Sequence, residues 1–279
     1  MWTLLQIELF KIFKRPRTYI SFAAIAAIVV LIQMAFYFDG DTYIGFMLQG
    51  INSSFDVDGH ILNGYLICYL ILQTLLIHVP LLIALVGGDM IAGEANMGTL
   101  RLLISKPISR TSLVLSKFLA TTAYTLMLLI WMAFLSLLLS ILVFGTGDLM
   151  IFKSDEIFIL SGNDVMWRYY AAFGFAAIAM TTVAALSFLL SLFAENSIGP
   201  IVSTMSVVIV FTILTTMDLP LFNSFKPFLF TSHMLGWKGF FDNPVSYGSV
   251  FRSAVLLLGH IVVFISAAVV IFNKKDVLS

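Results

Sequence analysis

The chain has 279 residues, 60% of them apolar and 11% charged, with a formal net charge of zero and a mean hydropathy of +1.03. This composition lies far from that of soluble globular domains and excludes a soluble enzyme; no nucleic-acid partner is expected. It predicts an all-α integral membrane protein forming a single transmembrane domain over residues 1–279, because a helix satisfies its own backbone hydrogen bonds where water is absent.

Residues 2–17 read WTLLQIELFKIFKRPR. At the helical period Trp2, Leu5, Leu9, Ile12 and Phe13 share one face. Thr3, Glu8, Lys11, Lys14 and Arg15 lie opposite, and Leu4, Ile7 and Phe10 interrupt the polar side. The spacing predicts an interfacial helix over residues 1–17, apolar stripe toward lipid and charges toward water, with Pro16 turning the chain into the membrane. A span of full length follows the basic cluster without a small-residue cleavage pattern, so the segment reads as retained.

Six apolar runs are long enough to cross a bilayer, near residues 19–38, 64–86, 118–144, 169–193, 199–217 and 253–272. The third and fourth exceed the hydrocarbon thickness and are expected to tilt or project. An even number of spans puts both termini on one side. That side carries ten basic residues (Lys11, Lys14, Arg15, Arg17, Arg101, Lys106, Arg110, Lys117, Lys274, Lys275). The other carries five (Lys153, Arg168, Lys226, Lys238, Arg252). The richer side is read as the cytoplasm, in keeping with a bacterial inner membrane. The first outer loop bears Asp39, Asp41, Asp56 and Asp58 and no basic residue.

Between the second and third runs lies a polar island, GEANMGTLRLLISKPISR, from Gly93 to Arg110. Gly87 and Gly88 release the second span, Gly98 supplies a left-handed turn, Thr99 is a candidate N-cap for a short helix over Leu100 to Ser105, and Pro107 stops it. Leu100, Leu103 and Ile104 share a face of that rod, about 9 Å long, and Arg101 points elsewhere. Ser109, Thr111 or Ser112 can cap the third span, with Lys117 at the cytoplasmic boundary.

The island resembles the first cytoplasmic loop of membrane subunits of ABC exporters, the type-2 ABC permeases. The residues that carry the resemblance are Gly93-Glu94, Gly98-Thr99-Leu100-Arg101 and Pro107-Ile108-Ser109-Arg110. The resemblance implies a coupling helix seated in a groove of a separate ATPase subunit. Glu94, Gly98, Thr99 and Arg101 would belong to the coupling region, with Leu100, Leu103 and Ile104 as its contact face. It also implies a secondary contact at the second inner turn, through Glu195, Asn196 and Ser197, where an ordinary tight turn explains the residues equally well. A plainer reading of the island is a topology-setting loop whose charges face water.

No G-x-x-x-x-G-K-[ST] cradle is present: Gly45 to Gly50 and Gly88 to Gly93 have the spacing but are followed by Ile51 and Glu94. Any ATP and Mg would therefore sit on a partner subunit, with no cofactor, metal or catalytic residue on this chain. Span interiors offer His78, His260, Gln33 and Gln73 but no mid-span Asp, Glu, Lys or Arg. Such histidines are read as hydrogen-bonded packing residues rather than a proton relay. Cys68 is a single thiol, and the 13 Met are dispersed, which suits packing better than soft-metal binding.

The last outer segment, from Asp218 to Gly248, is Phe-rich and interrupted by Pro220, Pro227, Pro244, Gly236 and Gly239. It is too broken to span and is read as a re-entrant or interfacial piece with Trp237 at the headgroups. The reading is a permease subunit of an ATP-driven exporter, paired with an ABC ATPase and with a second copy or a related permease, surrounded by lipid. By the resemblance, the first, second and fifth spans would line the pathway. The alternatives are a non-translocating subunit that passes ATP-driven motion to an outer partner protein, and an ion-coupled secondary transporter.

Overall fold

The computed structural model describes residues 1–48, 61–105, 107–152, 157–217 and 223–275. The acidic positions Asp56 and Asp58, the loop residue Lys106 and the start of the last outer segment lie outside them.

Helix α1 (Trp2–Lys14) ends at Arg15, whose backbone is extended, and α2 (Pro16–Leu48) starts directly on Pro16. Proline fits the first helical position because its missing N–H has no partner there in any case. Helix α3 (Gly64–Gly87) is capped by Asn63, whose side chain accepts from the N–H groups of Tyr65 and Leu66. Two short helices follow, α4 (Asp89–Asn96) and α5 (Thr99–Ile104). Helix α6 (Arg110–Ala133) runs through a π-helical turn at Phe134–Leu139 into α7 (Ser140–Phe144). The remaining long helices are α8 (Gly162–Ser191), α9 (Ile198–Thr216) and, after a short α10 (Phe230–Met234) in the outer segment, α11 (Tyr247–Lys274).

Among the described residues five helices are long and apolar enough to cross a membrane: Pro16–Gly40, Arg110–Phe144, Gly162–Ser191, Ile198–Thr216 and Tyr247–Lys274. A sixth candidate, α3, is bent by 55° between Gly64–Thr74 and His78–Gly87. Pro80 lies inside this helix. Its ring crowds the carbonyl four residues earlier and removes a hydrogen bond, which accounts for a bend at that place. The chain is thus a helical, multi-pass membrane protein. The third and fourth expected spans are long, with 35 and 30 helical residues, because helices continue past the point where hydropathy falls.

One departure from an all-α chain lies in the loop after α7. Strands β1 (Leu149–Phe152) and β2 (Ile157–Leu160) pair antiparallel, Leu149 opposite Leu160 and Ile151 opposite Phe158. Leu149, Ile151 and Leu160 are buried while Ile159 is exposed, the two-residue alternation of a half-buried hairpin. Four-residue strands are too short to stand out from the apolar background. Asn63 also donates to the Asp148 carbonyl at 2.8 Å, tying the hairpin to the start of α3.

Helix α8 is the centre of the bundle: 56% of its most apolar window is buried inside the chain, against 22% for α2 and 17% each for α9 and α11. Gln33, His78 and His260 meet backbone carbonyls, and Gln73 accepts from Lys238 at 3.2 Å. Gln33 donates to the Leu135 carbonyl inside the π-helical turn at 3.0 Å and to Ser140 Oγ at 2.9 Å. It thereby occupies a carbonyl in the stretch where the regular ladder is interrupted. Trp237 is buried against Tyr69 and Phe241, with ring centroids 5.7 and 5.9 Å apart. Trp237 therefore faces the bundle rather than lipid headgroups: the segment before α11 inserts its large rings among the helices.

Candidate functional site

The polar island is the junction of five elements, and its first part is buried. Asp89, Met90, Ile91, Ala92, Gly93 and Glu94 of α4 are all enclosed. Gly93 has to be glycine for a local reason, since a Cβ there would collide with the Asp89 carboxylate. Gly98 has φ of 69°, the left-handed conformation that glycine adopts without a steric penalty. It is also the N-cap residue of α5, so Thr99 begins the helix rather than capping it. The Thr99 hydroxyl donates instead to the Glu94 carbonyl at 3.3 Å.

Glu94 does not face water. Its Oε1 accepts from Lys117 at 2.8 Å and from Lys11 at 2.9 Å, while Glu8 takes Lys117 at 2.8 Å and Lys11 at 2.8 Å through its two oxygens. Glu8, Glu94 and Lys117 are at most 3% exposed. Two carboxylates and two ammonium groups form a neutral quartet joining α1, α4 and α6. Only a closed set of partners makes such burial tolerable, because an isolated ion away from water costs several kcal/mol.

The quartet moves the titration of its α1 members outward from neutrality. Burial acts to raise the Glu8 carboxyl, but the charges of Lys117 and Lys11 and their hydrogen bonds outweigh it and hold it below its ordinary 4.5. Burial acts to lower Lys11, and hydrogen bonds and charge from Glu8 and Glu94 outweigh that, holding it above its ordinary 10.5.

A second knot surrounds Asp89. It is ion-paired with Arg15, lies 2.7 Å from Arg17, and accepts a hydrogen bond from Ser197. The junction of α1 with α2, the end of α3 and the start of α9 are therefore tied at one buried carboxylate. Of the three residues at the second inner turn, Ser197 joins this knot. Asn196 accepts from the Gly199 N–H at 3.0 Å and caps α9, and Glu195 is exposed.

These contacts overturn two expectations. Helix α1 does not present Glu8 to water; Glu8 and Ile12 face the protein and Lys11 is half-buried against them, while Ile7 and Phe10, which interrupt the amphipathic pattern, are exposed. Lys117 does not reach out to water: it is 1% exposed and paired with both Glu8 and Glu94. Sequence reasoning treated each charge as facing solvent because its partners lie on other helices.

In α5 Leu100 is buried, and Leu103 and Ile104 are partly buried against the core. The face expected to meet a partner is thus packed on this chain. The exposed residues are Arg101, Leu102 at 67% and, just before the helix, Met97 at 56%. Met97 and Leu102 border a hollow of about 330 Å³ whose other walls are Lys11, Arg15, Glu94, Thr99 and Leu103. Ser109 caps α6 by accepting from the Ser112 N–H. Arg110 reaches the carbonyls of Phe272, Asn273 and Lys275 at 3.0 to 3.3 Å, a cation closing the C-terminal end of α11. Neither this bond nor the quartet has a local signal in the sequence.

The family described as protein of unknown function, DUF2705, matches residues 17–278. The chain belongs to this family. The matched stretch includes Glu94, Lys117 and, of the Asp89 knot, Asp89, Arg17 and Ser197, while α1 and Arg15 lie before it. The chain is also similar to the uncharacterized protein YhcI of Bacillus subtilis (strain 168), at 25% identity over 201 residues, which cover 69% of this chain and 63% of that protein. The matched stretch thus spans less than two thirds of that relative's length.

Proposed function

We propose that this chain is the permease subunit of an ATP-driven ABC transporter, with α5 as the coupling helix through which a separate ATPase subunit moves the membrane helices. The observation that carries the reading is the rooting of a short, outward-facing helix in buried ion pairs. Met97 and, on α5, Leu102 are exposed beside a hollow and Arg101 is exposed on the same helix, while the helix just before α5 is fastened through Glu94 and Asp89 to α1, α2, α6 and the second inner turn. A push on α5 is therefore delivered to several spans at once, because a buried ion pair resists the loss of either partner. A loop that only sets topology has no use for such anchoring.

In this reading both termini are cytoplasmic and α1 lies along the inner surface of a bacterial inner membrane, with Trp2, Ile7 and Phe10 toward lipid. The limited burial of α2 and α9 within the chain leaves apolar faces for lipid and for a second copy or related permease, consistent with a pathway bounded by α2, α3 and α9. Substrate flux through the purified complex supports export. ATPase activity governed by an outer protein, without flux, supports a mechanical role instead, and transport driven by an ion gradient without nucleotide removes the reading.

The deciding experiment is retention of an ABC-type ATPase subunit by the affinity-tagged chain in detergent. The wild-type chain is expected to retain it and the Leu102→Asp variant to lose it at unchanged membrane expression. Equal retention by both would remove α5 as the coupling element.

A further inference from the structure

The outer segment before α11 is built from short pieces, a 3-10 turn at Lys226–Phe228, α10, and a second 3-10 stretch at Leu235–Phe241. Short pieces leave backbone carbonyls outside any ladder, and at membrane depth each requires a partner. Two histidines supply them at one end. His233 Nε2 lies 2.8 Å from the Pro227 carbonyl with Nδ1 3.1 Å from Ser253 Oγ, and His260 Nε2 lies 3.1 Å from the Phe228 carbonyl with Nδ1 2.7 Å from the Leu256 carbonyl, so the single N–H of a neutral His260 ring serves one of those two carbonyls. His260 sits on α11 thirteen residues beyond Tyr247, about 20 Å along the helix. The turn at 227–228 is therefore held well inside the bundle's length. The aromatic rings of Phe230 and Phe264 flank His260 at 6.1 and 5.9 Å.

The opposite end is held by a different chemistry. Arg168, 5% exposed, donates to the carbonyls of Phe240 at 2.7 Å and Asp242 at 2.8 Å. It is itself fixed by Asp164 at 2.6 Å. Hydrogen bonds from a charged, buried donor are roughly twice as strong as neutral ones. The grip is thus stronger at 240–242 than at 227–228. Between the two grips, Met234 and Trp237 close an apolar cavity of about 30 Å³ whose other walls include Leu72 and Val79 of α3, Leu129 of α6 and Ala176 of α8.

The geometry points to a strap. Residues 226–237 run from a weaker grip at 227–232, made by His233, His260 and the Thr215 hydroxyl against Thr231 and Ser232, to the stronger Arg168 grip at 240–242, and release of the weaker grip lifts Met234 and Trp237 from the apolar cavity inside this one chain. The inference is independent of the ATPase reading, since it concerns the outer end of the molecule and needs no partner.

The test is amide hydrogen exchange on the full chain in lipid nanodiscs at one fixed pH, comparing wild type with His260→Phe, His260→Gln and His233→Phe. His260→Phe removes the imidazole that faces the Phe228 carbonyl and is expected to speed exchange of amides in 226–237 roughly five- to tenfold, the change that follows the loss of one hydrogen bond. Amides of α8 and of central α11 keep their wild-type rates. His260→Gln retains a donor and keeps the protection. In parallel, Met234→Cys in a Cys68→Ser background is expected to react faster with a membrane-permeant maleimide once His260→Phe is added. Unchanged exchange in 226–237, an increase spread evenly over α8 and α11, or unchanged labelling overturns the strap. If His260→Phe does not accumulate in the membrane, His233→Phe, which removes the bond to Pro227, is read at the same amides with the same two outcomes.

Discussion

Glu94 and Lys117, on different helices, form an ion pair of 2.8 Å with both side chains almost wholly buried. The pair belongs to a quartet in which neither charge can be removed without leaving another uncompensated. Removal of one member of a buried pair typically costs about 3–5 kcal/mol, whereas replacing the whole set by apolar groups is far less damaging.

Glu94→Ala is therefore expected to destabilise the chain by about 3 kcal/mol or more. The double variant Glu94→Ala, Lys117→Met should recover a substantial part of that loss. The check is thermal unfolding of the full chain in detergent across the double-mutant cycle. Additive losses would mean that Lys117 does not depend on Glu94.

The pH dependence follows from the two shifted α1 groups. Glu8 is held below 4.5, so its contribution is complete above that value and is lost as pH falls through the lowered one. Lys11 is held above 10.5, so its contribution is complete below that value and is lost as pH rises through the raised one. Docking of α1 should be flat between pH 5 and pH 10 and weaken only outside that window, on the order of the linkage principle's single-group effect. Fluorescence of a dye on an Ile7→Cys variant in a Cys68→Ser background, titrated from acid to base, measures it. A midpoint near neutral pH would contradict the quartet.

Leu102 and Leu103 are adjacent in sequence and differ in burial. Leu102→Asp places a charge on an exposed position and is expected to alter stability by less than about 0.5 kcal/mol. Leu103→Asp puts it against the core and should lower stability by several times that amount. Melting curves separate the two, and ATPase retention should be lost in Leu102→Asp while its melting point is unchanged.

Orientation is tested with single cysteines at exposed positions. In a Cys68→Ser background, Phe225→Cys and Ile159→Cys should react with an impermeant thiol reagent from outside intact cells, and Met97→Cys should react only after permeabilisation. The opposite pattern would invert the charge-based topology.

The sequence by itself determined the helical, membrane-crossing class, because long apolar runs have one way to satisfy their backbone in lipid and that way is local. It also determined where the chain bends and restarts. Pro16 opens α2, Gly98 takes a left-handed turn and Ser109 caps α6, since each depends on residues a few positions away. Only the tertiary structure decided which side of each element is inside. Glu8 and Lys11 read as a water-facing surface until Glu94 and Lys117 are brought to them from 83 to 109 residues away. Leu103 reads like a contact residue until the core is placed beneath it, and Trp237 reads as an interface marker until Tyr69 is set against its ring. The physical reason is common to all three. Backbone hydrogen bonding in a helix is settled within four residues, whereas the burial of a side chain, and above all of a charge, depends on partners whose position the local sequence does not encode.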